Sequence, residues 1–554
     1  MKPPLRLASL AQGKPAGKRT GGQAGGQELA AFLEEHRRKV EPLHKQTGLA
    51  SWKHQTTGLK KWSLRVESLE RKSAKIYADA KARKKLESWR AAPPREELNA
   101  RHLEMTWLAY FRERKEPALM RRIIGLQVKI ESVYNNFRAN LRGEQVADNR
   151  IADILADSTD LGLRREAWEA SKQIGAKVHE DVRELARLRN RNAQAGGYPD
   201  FYRLQLAAQE IDIDELYRIL DDLEARTEAP WIREKAGIDA ELCARFGVTD
   251  ANPPPWFYSD PFFQQVPRSR ELNLNALFEK SDLVELALAT YDGLGMEVRD
   301  ILKRSSLWPA KGKSQHAFCT NIDQKQDVRI LCNLTPSARW METLLHELGH
   351  AVYDKYIDQK LPWALRTPSH TLTTESIALL MGRQVQSADW LGQVRELPAA
   401  EVKRLSALIA RDRRRALLVF ARWALVMCRF ERALYEDPER DLDSLWWELV
   451  GRLQRVPKPE GRSAPDWASK MHIAAAPVYY HNYLLGDLMA SQLERSIRTK
   501  VAGKKLIGNK RAGAWLRKAV FEPGARWKWD ELVRRATGEK LSARDWAEEV
   551  VGKD

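Results

Sequence analysis

The sequence of 554 residues predicts a mostly α-helical protein. From about Glu28 onward, apolar residues recur three and four positions apart in nearly every segment, which is the spacing of an amphipathic helix. Hydrophobic residues make up 43% of the chain and charged residues 30%, which excludes a collagen-like or wholly disordered chain. Because no long linker and no repeat interrupts the pattern, we expect one large helical domain over residues 27–554, with two lobes around a cleft.

Residues 1–26 differ in composition from the rest of the chain. They are rich in glycine and contain five Lys or Arg residues but no acidic residue, which predicts a disordered basic tail. These residues contribute to a formal net charge of +18. In the helical part, basic residues alternate with acidic ones, as expected for a solvated helix surface. We therefore expect no nucleic-acid partner.

The longest apolar stretch, Ala416–Cys428, is too short to cross a membrane. It has 13 residues and includes Arg422, whereas a bilayer span needs about 20 apolar residues. The N-terminus lacks the apolar core of a secretory signal, and none of the four cysteines forms a CxxC pair. These features predict a cytoplasmic protein with reduced thiols and no membrane-spanning segment.

One region departs from the helical spacing. Residues 315–322 and 328–334 are short apolar runs with β-branched residues, and the polar residues Asp323–Asp327 separate them. This pattern predicts a β-hairpin. A small sheet is therefore expected just before the residues that carry the chemistry.

A metal-binding pattern follows within Thr343–Tyr353, which contains the sequence HExxH. Because His346 and His350 are four positions apart, a helix places both imidazoles on one face, where they can bind a single Zn²⁺. Glu347 lies between them and can contact a metal-bound water. Without a metal, the same pattern describes two surface histidines beside an ordinary glutamate.

A third ligand is expected on the next helix. Glu375 lies 25 positions after His350 and is the one carboxylate in the apolar segment Leu372–Met381. A glutamate in such a place is also typical of a helix N-terminus, where Thr371 or Thr373 could cap. Together with HExxH, Glu375 is the natural third ligand.

Two segments resemble known metallopeptidases. The stretch HELGHAVYDKYIDQKLPWALRTPSHTLTTESIALLMG is similar to the zinc helices of the angiotensin-converting enzyme family, and of the related thimet oligopeptidase and oligoendopeptidase family. Lys470–Tyr483 resembles the segment in which Lys, His and Tyr side chains line the active site of converting enzyme. The resemblance implies a mostly α-helical gluzincin fold, with a deep central cleft and a small β-sheet beside the zinc helix.

The same resemblance implies a role for each matching metal-site residue. It assigns His346, His350 and Glu375 as ligands of one Zn²⁺ per chain, and Glu347 as the general base.

Further matching residues would contact the substrate. Tyr483 and His472 would stabilise the oxyanion of the tetrahedral intermediate. His316 and Ala317, at the start of the expected hairpin, would bind the substrate backbone.

The resemblance also implies a site for the C-terminal carboxylate of the substrate. Lys470 and Tyr480 would hold this carboxylate, with Tyr479 as the alternative tyrosine because the spacing after Pro477 differs from that of the family. A glutamine that assists in the family aligns here with Tyr258.

The predicted activity is zinc-dependent hydrolysis of short peptides, with release of C-terminal dipeptides. One alternative is an oligoendopeptidase that cuts short peptides internally. Another is a non-catalytic helical binding protein. In the first two cases the partners are short peptides.

Overall fold

The computed structural model of the chain describes residues 23–112, 117–249, 252–267 and 273–551. Most of the predicted basic tail, residues 1–22, lies outside the described residues. The first helix begins at Gln23, so residues 23–26, which the sequence assigned to the tail, are helical.

Helices dominate the described residues, which confirms the predicted fold class. The α-helices are α1 (Gln23–Thr57), α2 (Lys60–Tyr77), α3 (Ala80–Ala91), α4 (Glu97–Arg112), α5 (Pro117–Asn136), α6 (Asp148–Asp157), α7 (Leu161–Ala195), α8 (Phe201–Ala208), α9 (Ile213–Phe246), α10 (Leu283–Gly293), α11 (Arg299–Arg304), α12 (Ala338–Lys355), α13 (Thr371–Gly382), α14 (Ala388–Gln393), α15 (Ala399–Glu436), α16 (Leu442–Leu449), α17 (His472–Ala475), α18 (Tyr480–Lys500), α19 (Lys510–Leu516), α20 (Trp529–Thr537) and α21 (Arg544–Val551). The strands are β1 (Ala139–Leu141), β2 (Glu144–Val146), β3 (Phe318–Asn321) and β4 (Val328–Leu331).

The main hydrophobic core runs from α5 to α21 and surrounds the middle of α15. Helix α15 contains the apolar stretch Ala416–Cys428, and the side chain of its Arg422 is buried. Arg422 donates hydrogen bonds to Glu228 (2.9 Å) and to the hydroxyl of Thr227 (2.8 Å), both on α9. The apolar stretch is therefore a core helix. No helix in the described part of the chain is long and apolar enough to cross a membrane.

The N-terminal helices have a hydrophobic cluster of their own, formed by α1, α3 and α4. Farther along α1, Trp52 packs against Ile322 and Leu331 of the β3–β4 hairpin region. The backbone N–H of Ser314 donates to the carbonyl of Gln55 (2.8 Å). Helix α1 is thus held against the hairpin.

The β3–β4 hairpin confirms the predicted sheet. The strands are antiparallel, with Phe318 opposite Leu331 and Asn321 opposite Val328. Asp323 closes the turn by accepting hydrogen bonds from two backbone N–H groups of the loop. The outer side of β4 pairs with Ser306. The outer edge of β3 pairs with no strand among the described residues.

Candidate metal centre and substrate cleft

Helix α12 presents the HExxH residues on one face. The side chain of Ser337 caps the helix by accepting a hydrogen bond from the backbone N–H of Trp340 (3.3 Å). The apolar side chains of the helix are buried, which fixes its rotation. His346 and His350 then lie one turn apart, with ring centroids separated by 5.0 Å.

Gly349, inside the HExxH motif, allows α13 to approach α12 closely. A Cβ atom at this position would lie 2.8 Å from the Cα of Ala378, closer than any real contact. Helix α13 is capped by His370, whose Nδ1 accepts a hydrogen bond from the N–H of Leu372 (3.0 Å), so neither candidate threonine is the cap. Glu375 then lies in the second turn of α13, facing the two histidines.

His346, His350 and Glu375 form a triad whose geometry suits a metal ion. Their candidate ligand atoms all lie within 4.8 Å of one another. The Nε2 atoms of His346 and His350 are 3.7 and 3.6 Å from the two carboxylate oxygens of Glu375. The Nδ1 of His350 is hydrogen-bonded to the hydroxyl of Thr374 (2.8 Å), which leaves Nε2 for a metal. Two imidazoles and one carboxylate are a donor set that fits zinc with an open fourth position.

The protonation of the triad also suits metal binding. Burial lowers the pKa of His346 to about 4 and that of His350 to about 3, so both imidazoles are neutral near pH 7. Neutral imidazole is the form that binds metals.

Glu347 is buried in the same cavity but is not part of the triad. Burial, and then the nearby Glu375 carboxylate, raise the pKa of Glu347 to about 8. A cation at the triad would offset the repulsion from Glu375. The carboxyl group of Glu347 therefore lies near Glu375 but outside the triad.

The triad opens into a cavity of about 570 Å³. The hairpin contributes Ala317 and Cys319, helix α1 contributes His44, and α18 contributes Tyr483. Tyr479, just before α18, also lines this cavity. Of the residues predicted from the sequence, the cavity thus brings together the triad, Glu347, Ala317 and Tyr483.

Comparison with known protein families decides the identity of this part of the chain. Residues 301–546 match the family model of Peptidase M2, angiotensin-converting enzyme. This segment belongs to the angiotensin-converting enzyme family. The matched range includes the hairpin, the triad and α18, so the family resemblance inferred from the sequence is confirmed. The converting-enzyme family is one of metallopeptidases. A search of curated proteins found no match to the chain.

A second group of predicted residues lies outside the cavity, around Lys470. The Nζ of Lys470 donates a hydrogen bond to Oε1 of Gln264 (2.9 Å) and lies over the rings of Trp423 (5.2 Å) and Tyr480 (5.9 Å). Lys470 is only 9% exposed. No carboxylate in the described part of the chain forms an ion pair with it.

The structure places Gln264, and not Tyr258, beside Lys470. The sequence predicted that the family glutamine falls at Tyr258, which is buried and whose hydroxyl donates to Asp239 (2.9 Å). Asp260 accepts backbone hydrogen bonds from three residues of the following loop, including Gln264. This folded loop directs Gln264 to Lys470, and spacing along the sequence gave no sign of it.

Val478, just before α18, has an unusual backbone conformation. Its φ of +56° is a left-handed conformation that is rare for a β-branched residue. Glu431 accepts a hydrogen bond from the N–H of Val478 (2.8 Å), and Gln209 donates to its carbonyl (3.1 Å). The resulting bend places Tyr480 beside Lys470 and leaves Tyr479 in the cavity.

Tyr480 connects the two groups of residues. Its ring centroid is 5.7 Å from that of Tyr483 and 5.3 Å from that of His472. His472 therefore lies with Tyr480 and is not among the residues that line the cavity of the triad. His316 is exposed at the start of the hairpin and also does not line this cavity.

Proposed function

We propose that the protein is a zinc-dependent peptidyl-dipeptidase, which removes dipeptides from the C-terminus of short peptides. The triad with Glu347 beside it carries the proposal of metal-dependent hydrolysis. Membership of residues 301–546 in a metallopeptidase family supports peptide substrates. We further propose that residues 27–554 act as one domain with two lobes around the cleft.

His346, His350 and Glu375 would hold the zinc ion. When bound, the ion supplies Lewis acidity that polarises the attacking water and the scissile carbonyl. Thr374 keeps the ring of His350 in the orientation that directs Nε2 to the metal position.

Glu347 would take the proton of the attacking water. Its buried position and raised pKa suit a group that first accepts this proton and then passes it to the leaving amine. Tyr483 lines the same cavity, and its hydroxyl would donate a hydrogen bond to the oxyanion. His472, next to Tyr480, is the proposed second donor.

The free edge of β3 would hold the peptide backbone. An extended peptide can add to an unpaired strand edge through backbone hydrogen bonds, which tolerate many side chains. Ala317 lies in the cavity just before this strand and His316 precedes it at the surface. We propose that both contact the substrate backbone.

Lys470, Tyr480 and Gln264 would receive the terminal carboxylate. A distance of 5.7 Å separates the rings of Tyr483 and Tyr480, and 5.9 Å separates the Tyr480 ring from the Lys470 ammonium. The proposed carboxylate site thus lies next to Tyr483, the proposed oxyanion donor, which supports cleavage close to the C-terminus of the peptide.

The proposal is tested by the products formed from one decapeptide. The peptide is prepared with a free C-terminus and with a C-terminal amide, and both are incubated with the zinc-loaded protein and with the Glu347→Gln variant. Mass spectrometry should find dipeptides released in succession from the free peptide, and little cleavage of the amide. Cleavage of both at the same internal bond would establish the oligoendopeptidase instead. No cleavage of either peptide by the zinc-loaded protein would reject both activities. The non-catalytic helical binding protein would then be the remaining alternative.

A further inference from the structure

One carboxylate in the cavity of the triad has no counter-charge. Asp354 follows His350 by one turn of α12 and lines the cavity. Its side chain is partly buried, and no hydrogen bond or ion pair reaches it from the described part of the chain. Other side chains that line the cavity include Cys319 of β3 and Arg366.

This position is costly for an unpaired carboxylate. Burial raises the pKa of Asp354 to about 7, because the charged form has lost water without gaining a partner. Arg366 does not supply the missing charge, since it forms no ion pair with Asp354 and its Nε donates to the carbonyl of Leu361 (2.8 Å). A cation brought by a ligand would gain the interaction that the protein itself leaves unmade.

The position of Asp354 relative to Lys470 indicates which part of a peptide would meet it. Asp354 shares the cavity with the triad and the hairpin, whereas Lys470 lies outside it, beyond Tyr480. If Lys470 receives the C-terminal carboxylate, the residues after the scissile bond extend toward Lys470. The residues before the scissile bond then occupy the cavity that Asp354 lines.

We propose that Asp354 selects peptides that carry a cationic side chain, lysine or arginine, on the N-terminal side of the scissile bond. This inference rests on the proposed function for the direction of the peptide. The recognition is by charge. Among the residues that line the cavity, Asp354 is the one acidic residue that belongs neither to the triad nor to the HExxH motif.

The test compares peptides that differ in one side chain. Lysine, norleucine or glutamate is placed at each of the two positions before the scissile bond, and kcat/KM is measured for the zinc-loaded protein. At one of these positions lysine should be preferred over norleucine by about 10-fold or more, since a charge-assisted contact replaces an apolar one. Glutamate should be the poorest of the three.

Variants of Asp354 separate this role from a structural one. Asp354→Asn should bring the lysine-to-norleucine ratio close to one, Asp354→Glu should keep the preference, and Asp354→Lys should shift it toward glutamate. Asp358→Asn is the matched control, because Asp358 is exposed on the same stretch of chain, and it should keep the wild-type ratio. Zinc content and thermal unfolding of each variant show that it is folded.

The outcomes distinguish this inference from the proposed function. A wild-type enzyme that cleaves all peptides without charge preference, or an Asp354→Asn variant with an unchanged ratio, overturns the role of Asp354. If no peptide is cleaved, the dissociation constants of the lysine and norleucine peptides are measured by calorimetry on the zinc-loaded protein. Tighter binding of the lysine peptide that is lost in Asp354→Asn supports the inference, and equal binding overturns it.

Discussion

The replacement Lys470→Met removes the ammonium group while keeping an unbranched side chain of similar size. Lys470 is 9% exposed, and its hydrogen-bond acceptor in the structure is the amide oxygen of Gln264 at 2.9 Å. Burial lowers the pKa of Lys470 to about 8, and the charge of Asp260 opposes this shift. No described residue forms an ion pair with this ammonium. A substrate carboxylate would therefore supply the negative charge that pairs with it.

The expected magnitude follows from this buried contact. A hydrogen bond to a charged group that is shielded from water contributes about 1.5 to 3 kcal/mol. Its loss should raise KM for peptides with a free C-terminus by about 10- to 100-fold. Amidated peptides lack the carboxylate, so their inhibition constants should change little.

The same contact predicts a pH dependence for free peptides. Lys470 is charged below its pKa of about 8 and neutral above it, so KM for free peptides should rise as the pH increases beyond 8. The neighbouring groups that share this charge environment are Asp260, Lys172 and His472. Amidated peptides should show no such rise.

The assay measures KM for a free peptide and the inhibition constant of its amide, with wild type and Lys470→Met. Lys458→Met is the matched control, because Lys458 is exposed and distant along the chain from α18. Equal and small effects of Lys470→Met on KM of the free peptide and on the inhibition constant of the amide would refute the carboxylate contact. A lysine without that role would affect both peptides alike.

Three further changes test the metal centre and the oxyanion site. Glu347→Gln should retain one zinc per chain and lose about 10²- to 10⁴-fold in kcat, because the side chain is proposed to move protons and not to bind the metal. A variant with wild-type turnover would remove Glu347 from the mechanism. Tyr483→Phe should lower kcat by about 10²- to 10³-fold with little change in KM, and an unchanged kcat would transfer the role to Tyr479 or Tyr480. Gly486→Ala should weaken zinc binding by about 10-fold or more, because its Cβ would lie 3.2 Å from Cγ of Glu375. Gly125→Ala, with open space around the glycine, is the control, and equal zinc affinity in both variants would contradict that packing argument.

The sequence predicted the parts of the site that depend on local geometry. The four-residue spacing of His346 and His350 places two imidazoles on one helix face, whatever the rest of the fold does. The two short apolar runs on either side of Asp323 likewise predicted the hairpin, because strand pairing here is between neighbours in sequence.

The placement of Glu375 depends on tertiary packing. The close approach of α12 and α13 at Gly349, and of α18 to Glu375 at Gly486, brings Glu375 to the two histidines. Only the combination with HExxH indicated this ligand from the sequence, since a lone glutamate near a helix start has no distinctive pattern.

Two residues of the site could not be found from spacing. Gln264 reaches Lys470 because Asp260 folds the loop that carries Gln264. The left-handed Val478, held by Glu431, bends the chain just before Tyr480. Both depend on buried carboxylates that accept backbone hydrogen bonds, and such contacts leave no periodic signal in the sequence.

The most direct test of the central claim is a zinc titration of the metal-free protein, followed by the rate of hydrolysis of one peptide with a free C-terminus. One metal site formed by His346, His350 and Glu375 predicts that the rate rises in proportion to added zinc and stops rising at one equivalent per chain. Full activity in the presence of a chelator, or no activity at any zinc concentration, would contradict the claim that this triad is the catalytic centre.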